Sequence, residues 1–505
     1  MPAATKHPAL PAKGETKVYH TADGAPYVIC NSTSSFVNPT ADSPSKSCEE
    51  INATLNLNLG QSWVTRNNPL GRLILWVSRC LDLVLFEWWE WIPMYIYNEC
   101  VPLAWKRIVT KYGWNFFLAL HSRLLGKSTG LHPSQSLEYH AMTTMMFASN
   151  FLAWTPQRMR FFLKEVNATA PNDPPSVERM DVIEEDMTTP GLKIPPEQAD
   201  HSTVRGWYIR RTAQRDDQQK RNVIFWIYGG AYLSGDVRGN ASVADYLAAN
   251  THCDVFIPSF RLAPEANLFD VLWDVCLALY WLQLNGKEQL AAAESPTIFV
   301  AGVSSGAAIA CRVLQAMAQQ ERQQDMNLPA YFIPLVQRLT LGNIGGAVLF
   351  NPYVDYTQLH PEERKGSFQH YAKHDLVVNE AVQEYGLPYL EDFIPTLEKD
   401  DNATDDPATK NKKARQRQSP IHQNCTGVPP LCVIASQHEA VYDMTCDLVN
   451  RARSEGVEVT MGMWKYMCHV FGILHGFLPE GQLCMDFVVA WIQEQQQKEQ
   501  LAKKG

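Results

Sequence analysis

The stretch Thr297-Ile298-Phe299-Val300-Ala301-Gly302-Val303-Ser304-Ser305-Gly306-Ala307-Ala308-Ile309-Ala310-Cys311-Arg312-Val313-Leu314 decides how this chain is read. Its first five residues form a short apolar run suited to a strand buried on both faces, and Ala307 onward suits a helix. Between them, G-x-S-x-G places Ser304 on a sharp strand-to-helix turn, where its hydroxyl would stand exposed at the end of a sheet. The same spacing at Gly126-Lys127-Ser128-Thr129-Gly130 lacks this context: no strand-like run precedes it and Pro133 follows closely. Ser128 is therefore expected to be a loop serine. Gly126-Lys127-Ser128 is no phosphate loop either, because His121 stands where the Walker pattern needs glycine.

Two more segments flank the turn in chain order. Tyr228-Gly229-Gly230-Ala231 follows the apolar run Val223 to Ile227, and Cys468-His469-Val470-Phe471 lies near the end of the chain. A serine hydroxyl is a weak nucleophile at neutral pH and needs an imidazole to take its proton, and the oxygen that becomes negative needs backbone N–H donors. The three segments supply a nucleophile (Ser304), a base (His469) and donors.

Around these segments, Val177 to Glu185 and Val204 to Arg211 read as a leading hairpin of strands. Apolar runs at Val223–Ile227, Cys253–Ile257, Thr297–Ala301, Gly346–Phe350, Leu431–Ala435 and Val457–Trp464 read as buried strands. Helical stretches such as Leu272–Leu284 and Tyr442–Arg453 lie between them. Alternation of this kind predicts an α/β fold with a mostly parallel sheet covered on both faces by helices. Residues 1–60, rich in Ser, Thr, Asn, Ala and Pro, are expected to be a mobile polar segment. Residues 61–170 form an aromatic-rich region, and residues 171–500 the α/β domain, with a solvated insertion near 398–418.

In the aromatic region, Trp76, Trp88, Trp89, Trp91, Trp105 and Trp114 are mixed with charges such as Arg72, Arg79, Asp82, Glu87, Glu90 and Glu99. These charges interrupt every window of about 20 apolar residues, the length a spanning helix needs. Two readings stay open for residues 70–125: a hydrophobic cap packed over the pocket, and contact with a membrane surface. Membrane-associated, as at the endoplasmic reticulum, and cytoplasmic locations both stay open. Six N-x-S/T sites, at Asn31, Asn52, Asn167, Asn240, Asn402 and Asn424, are compatible with a lumenal location without deciding it.

A formal net charge of -9 argues against nucleic acid as a partner. The 12 cysteines include no C-x-x-C pair, and Cys276, Cys311 and Cys432 sit in apolar runs. They read as reduced core residues, with no metal site and no cofactor called for.

The chain resembles the hormone-sensitive-lipase-like branch of the α/β-hydrolases, which includes arylacetamide deacetylases and fungal steryl acetyl hydrolases. The resemblance covers about Val177 to Gln493 and rests on the segments above, with Phe260-Arg261-Leu262-Ala263-Pro264-Glu265 matching the family's Y-R-L-A-P-E. It implies a helical N-terminal cap and a serine esterase or deacetylase acting through an acyl-enzyme. The expected triad is Ser304, His469 and Glu439, with Asp443 the second candidate acid. The expected oxyanion donors are the N–H groups of Gly230, Ala231 and Ser305. His475-Gly476-Phe477 imitates the family's H-G-F but is expected inside the following helix, and His438 is expected to be structural. The chain departs from the family at Tyr228, where histidine is usual, and at Val303 and Ser305 in the elbow. The substrate implied is a short-acyl ester of a bulky apolar alcohol. A transacylase or cyclase using the same pocket, and a non-catalytic small-molecule binder on this fold, are the alternatives.

Overall fold

The computed structural model describes residues 15–20, 26–32, 101, 103–127, 132–149, 160, 179–187, 194–210, 222–289, 296–371, 375, 386–390, 392–397 and 406–504. Among these residues, ten strands form one sheet: β1 (Glu15–His20), β2 (Pro26–Ser32), β3 (Arg179–Asp186), β4 (Thr203–Arg210), β5 (Asn222–Ile227), β6 (Cys253–Ser259), β7 (Ile298–Val303), β8 (Ile344–Phe350), β9 (Leu431–Ser436) and β10 (Val459–Trp464). Their order is β1-β2-β10-β9-β8-β7-β5-β6-β4-β3. The block from β10 to β6 is parallel throughout, while β3–β4, β4–β6, β2–β10 and β1–β2 pair antiparallel. Every residue of β5, β7, β9 and β10 is buried, which is why those segments read as unbroken apolar runs.

The main helices are α1 (Leu103–Leu124), α2 (Leu137–Ser149), α3 (Ala241–Thr251), α4 (Leu268–Gln289), α5 (Ser305–Glu321), α6 (Pro407–Gln418), α7 (Tyr442–Ser454) and α8 (Pro479–Lys504). α3 packs with α8, and α4 with α5, so that helices cover both faces of the sheet. α1 and α2 pack on each other. α2 docks on the α/β core through Ser136, whose N–H and hydroxyl donate to the Glu480 carboxylate at 2.7 and 2.9 Å.

Two sequence expectations need correction. Residues 15–20 and 26–32 are sheet strands rather than part of a mobile segment: β2 pairs with β10 along its length, and Ile29, opposite Gly462, is fully buried. The expectation followed the polar composition of residues 1–60 taken as a whole, in which the short apolar run Tyr27-Val28-Ile29-Cys30 of β2 is diluted. The rest of 1–60 lies outside the described residues. The charged stretch near 398–418 is also not simply solvated. Asp406 caps α6 by accepting from Thr409 N, and the helix buries Ala414, Arg415 and Gln418. Arg415 reaches Glu363 at 2.7 Å, and the Gln418 amide donates to the Asn327 carbonyl, so polar groups are buried with partners. Residues 398–405, Ser128, Trp76, Trp88, Trp89 and Trp91 lie outside the described residues.

Cys253, Cys276, Cys311, Cys425, Cys432, Cys446, Cys468 and Cys484 form no disulfide, and all of these but Cys446 are buried. Of the six N-x-S/T sites, Asn240 is buried. Its side chain accepts from Trp226 Nε1 and donates to the Asp236 carbonyl, so this asparagine serves the fold.

Candidate active site

Ser304, Glu439, His469 and the Tyr228–Ala231 loop all follow the carboxyl ends of parallel strands, β7, β9, β10 and β5 respectively. In open α/β sheets that edge is where crevices form and ligands bind. Ser304 has φ 55° and ψ -119°, a conformation that non-glycine residues rarely adopt. It is held there by donation from its N–H to the Phe350 carbonyl at 2.8 Å and by α5, which begins at the next residue. Glycines allow the close approach around it. A Cβ on Gly306 would lie 2.3 Å from the carbonyl oxygens of Ile227 and Tyr228, and one on Gly229 would lie 2.4 Å from the Val303 carbonyl.

The structure brings the expected three side chains into one hydrogen-bonded chain. Ser304 Oγ is 2.8 Å from His469 Nε2, and His469 Nδ1 is 2.8 Å from Glu439 Oε2. The other Glu439 oxygen accepts from Ser436 N at 2.8 Å and from the Asn351 side-chain amide at 2.6 Å. Burial pushes the Glu439 carboxyl above its ordinary range, and the hydrogen bond and charge of His469 pull it back. Glu439 and His469 are both buried, which fixes the imidazole's orientation and shields the pair from competing water.

Of the alternatives, Asp443 is elsewhere: it accepts from Ser367 N at 2.8 Å, at the start of α7. His475 lies after the short turn Phe471–Leu474 and before α8 begins at Pro479, so the expectation that it sits inside the helix is corrected. It is buried with its ring 4.9 Å from that of Tyr246, and burial lowers its pKa to about 4. His438 is structural. Its Nδ1 accepts from Tyr466 N at 3.0 Å, its ring stacks on Tyr466, and burial lowers its pKa to about 3.

On the opposite wall, Gly230, Ala231 and Tyr232 all have positive φ, at 131°, 54° and 63°, so the loop turns back on itself beside Ser304. Ser305 Oγ accepts from Tyr232 N at 3.4 Å and thereby ties this loop to the elbow. Tyr228, where the family has histidine, stacks on Phe260 at 4.0 Å. Its hydroxyl accepts from Phe260 N and donates to Phe260 O. The segment beginning at Phe260 is braced in turn by Arg261, which forks onto the Asp274 carboxylate at 2.8 Å through both Nε and Nη2. Ala263 N donates to the Tyr232 carbonyl at 2.8 Å and closes the ring of supports.

Two participants were not foreseen. Asn351 follows β8 directly, and its place at a strand's carboxyl end was a usable signal. Asp375 had none. Its buried carboxylate accepts from the N–H of His469 at 3.1 and 3.3 Å and from the N–H of Ala440 at 3.0 Å, so one side chain joins the two loops that carry the base and the acid. Among the described residues no cluster of His, Cys, Asp or Glu could hold a metal ion.

A parallel sheet with a serine on a strained strand-to-helix turn, an imidazole and a buried carboxylate in line defines an α/β-hydrolase. Residues 224–473 match the family model described as the α/β hydrolase fold, and that part of the chain is a domain of this family. An esterase from Acinetobacter venetianus is 26% identical over 283 residues, covering 55% of this chain and 75% of the esterase. An acetyl-hydrolase from Streptomyces hygroscopicus is 23% identical over 278 residues, covering 55% of this chain and 77% of the relative. The solved structure of a hyperthermophilic esterase from the archaeon Pyrobaculum calidifontis superposes with a TM-score of 0.52 at 18% identity, over 70% of this chain and 97% of that one. That likeness is one of fold.

Proposed function

We propose that Ser304 attacks the carbonyl carbon of a carboxylic ester while its proton passes to His469 Nε2, and that Glu439 holds the imidazole in the tautomer able to accept it. The protein is a serine ester hydrolase, as its family domain and its esterase and acetyl-hydrolase relatives indicate. The single observation that supports the assignment of roles is the unbroken chain Glu439–His469–Ser304, with both links at 2.8 Å. In this reading the tetrahedral oxygen is received by the N–H groups of Gly230, Ala231 and Ser305, each worth about 3 kcal/mol of barrier. The alkoxide leaves with the proton from His469, and water then attacks the acyl-Ser304 ester with the same imidazole as base.

The substrate in this reading is a short-acyl ester of a bulky apolar alcohol. It is supported by the acetyl-hydrolase relative, for the short acyl group, and by a cluster of aromatic rings, largely buried in the core, that begins one residue past Ala231. Tyr232 contacts Tyr356 and Phe393, Tyr356 contacts Tyr353, and Tyr353 contacts Phe368, with centroids 4.6 to 6.1 Å apart. Burying a ring system against such side chains gains about 25 cal/mol per Å² removed from water. The reading also includes contact of the 70–125 region with a membrane surface, where such esters concentrate. Comparing acetate esters of a sterol, a phenol and ethanol with long-chain triacylglycerols tests the substrate. Preference for the sterol and phenol acetates in kcat/KM is expected; equal activity on ethyl acetate, or preference for long acyl chains, overturns it.

A further inference from the structure

Most of the exposed large apolar side chains among the described residues are gathered on one helix. Among the described residues, twelve are exposed, and Trp105, Ile108, Val109, Tyr112, Phe116, Leu120, Leu124 and Leu125 account for eight of them, all on α1 or immediately after it. At 100° per residue, Trp105, Ile108, Val109, Tyr112, Phe116 and Leu120 fall on one face. The opposite face is the one that packs. Trp114 and His121 are buried, Trp114 meets Phe477 edge-on at 5.4 Å, and His121 Nε2 is 3.0 Å from Thr144 Oγ1 of α2. α1 is therefore apolar on two sides, and one of them is satisfied by the fold. Tyr112 and Phe116, the centre of the other, are 73% and 72% exposed. A contiguous patch of this kind on a folded protein marks a contact surface.

Charge indicates the occupant. Leu103 to Lys127 contains Lys106, Arg107, Lys111, Arg123 and Lys127 and no Asp or Glu, in a chain whose formal net charge is -9. Lys111, Arg123 and Lys127 are exposed. An apolar helix face with cations beside it, carrying Trp and Tyr able to sit at the headgroup level, suits the surface of an anionic bilayer. In a symmetric pairing of two copies through this face, the α1 cations of one copy would face those of the other. No described helix is long and apolar enough to cross a membrane, which fits a helix lying in the interface plane. The position also has a use. α2, on which α1 packs, contributes Tyr139, which interacts with Cys468, the neighbour of His469.

We propose that the exposed face of α1 docks on an anionic lipid surface, with Phe116 inserted towards the acyl chains and Tyr112 and the flanking cations at the headgroups. This deepens the membrane-contact part of the proposed function and rests on it, but is independent of which ester is cleaved. The test is co-sedimentation of the full chain with vesicles of phosphatidylcholine alone and with about 30 mol per cent phosphatidylserine, for wild type and for Tyr112→Ser with Phe116→Ser. Hydrolysis of water-soluble p-nitrophenyl acetate serves as the control for folding and chemistry. Expected is binding to the anionic vesicles that weakens with salt, a loss of about tenfold or more in partitioning for the double variant, and unchanged turnover of the soluble ester. Binding that is equal in wild type and variant, absence of binding to either vesicle, or a concentration-dependent dimer that the double variant abolishes would each overturn the proposal. None of these results would touch the Ser304 chemistry, which the soluble ester reports separately.

Discussion

His469 Nε2 stands 2.8 Å from Ser304 Oγ although 165 positions separate them in the chain. The distance is set by two adjoining features. The strained backbone at Ser304 lifts its hydroxyl off the end of β7, and the loop after β10 is pinned through His469 N by Asp375 and through His469 Nδ1 by Glu439. Nothing in this array needs to move for the proton to transfer.

Glu439 and Asp443 make a direct comparison. Glu439→Gln keeps the shape but removes the charge facing His469 Nδ1, and kcat should fall by about 10³- to 10⁴-fold with little change in KM. Asp443→Asn, at a carboxylate that accepts from Ser367 N, should leave kcat within about threefold. Steady-state kinetics on one soluble ester decides between them, and equal losses would reverse the assignment of the acid.

The hydroxyl of Tyr228 serves both the N–H and the carbonyl of Phe260 in a buried position. Tyr228→Phe removes it and strands a buried donor, so about 1–3 kcal/mol of stability should be lost in denaturant titrations. Activity should fall modestly, because the ring stacking on Phe260 that shapes the loop remains.

How much could be read beforehand follows from how each group is positioned. Ser304 and the glycines around it are fixed by close backbone approach, and such constraints leave local motifs. His469 and Glu439 follow strands whose full burial makes them legible as apolar runs. Asp375 acts through two N–H groups far along the chain, at Ala440 and His469, and a contact of that range leaves no mark on its neighbours. The β1–β2 hairpin was illegible for another reason. Its apolar run Tyr27-Val28-Ile29-Cys30 is short and lies in a long stretch of polar composition, and Ile29 is its fully buried anchor.

That anchor can be tested. Ile29→Ala leaves a cavity beside Gly462 of β10, and the global unfolding free energy should drop by about 2–4 kcal/mol. A change within about 0.5 kcal/mol would mean that the hairpin is not part of the cooperative unit.

Acid stability should depend on His438. Burial lowers its pKa in the fold from the ordinary 6.5 to about 3, so below pH 6.5 the unfolded chain takes up a proton that the folded chain refuses. Its contribution is complete above pH 6.5 and is lost progressively as pH falls towards 3, at up to about 1.4 kcal/mol per pH unit. His438→Asn keeps an acceptor for Tyr466 N but cannot titrate. It should be less stable than wild type at pH 7 and close that gap by pH 5, as measured by denaturant unfolding at each pH.

The central claim is that Ser304 is the nucleophile. Labelling the full chain with a fluorophosphonate and mapping the adduct by peptide mass spectrometry tests it most directly. One adduct is expected, on the peptide that carries Ser304, absent in Ser304→Ala and strongly slowed in His469→Ala. Labelling at another serine such as Ser128, or labelling that persists in Ser304→Ala, would contradict the account.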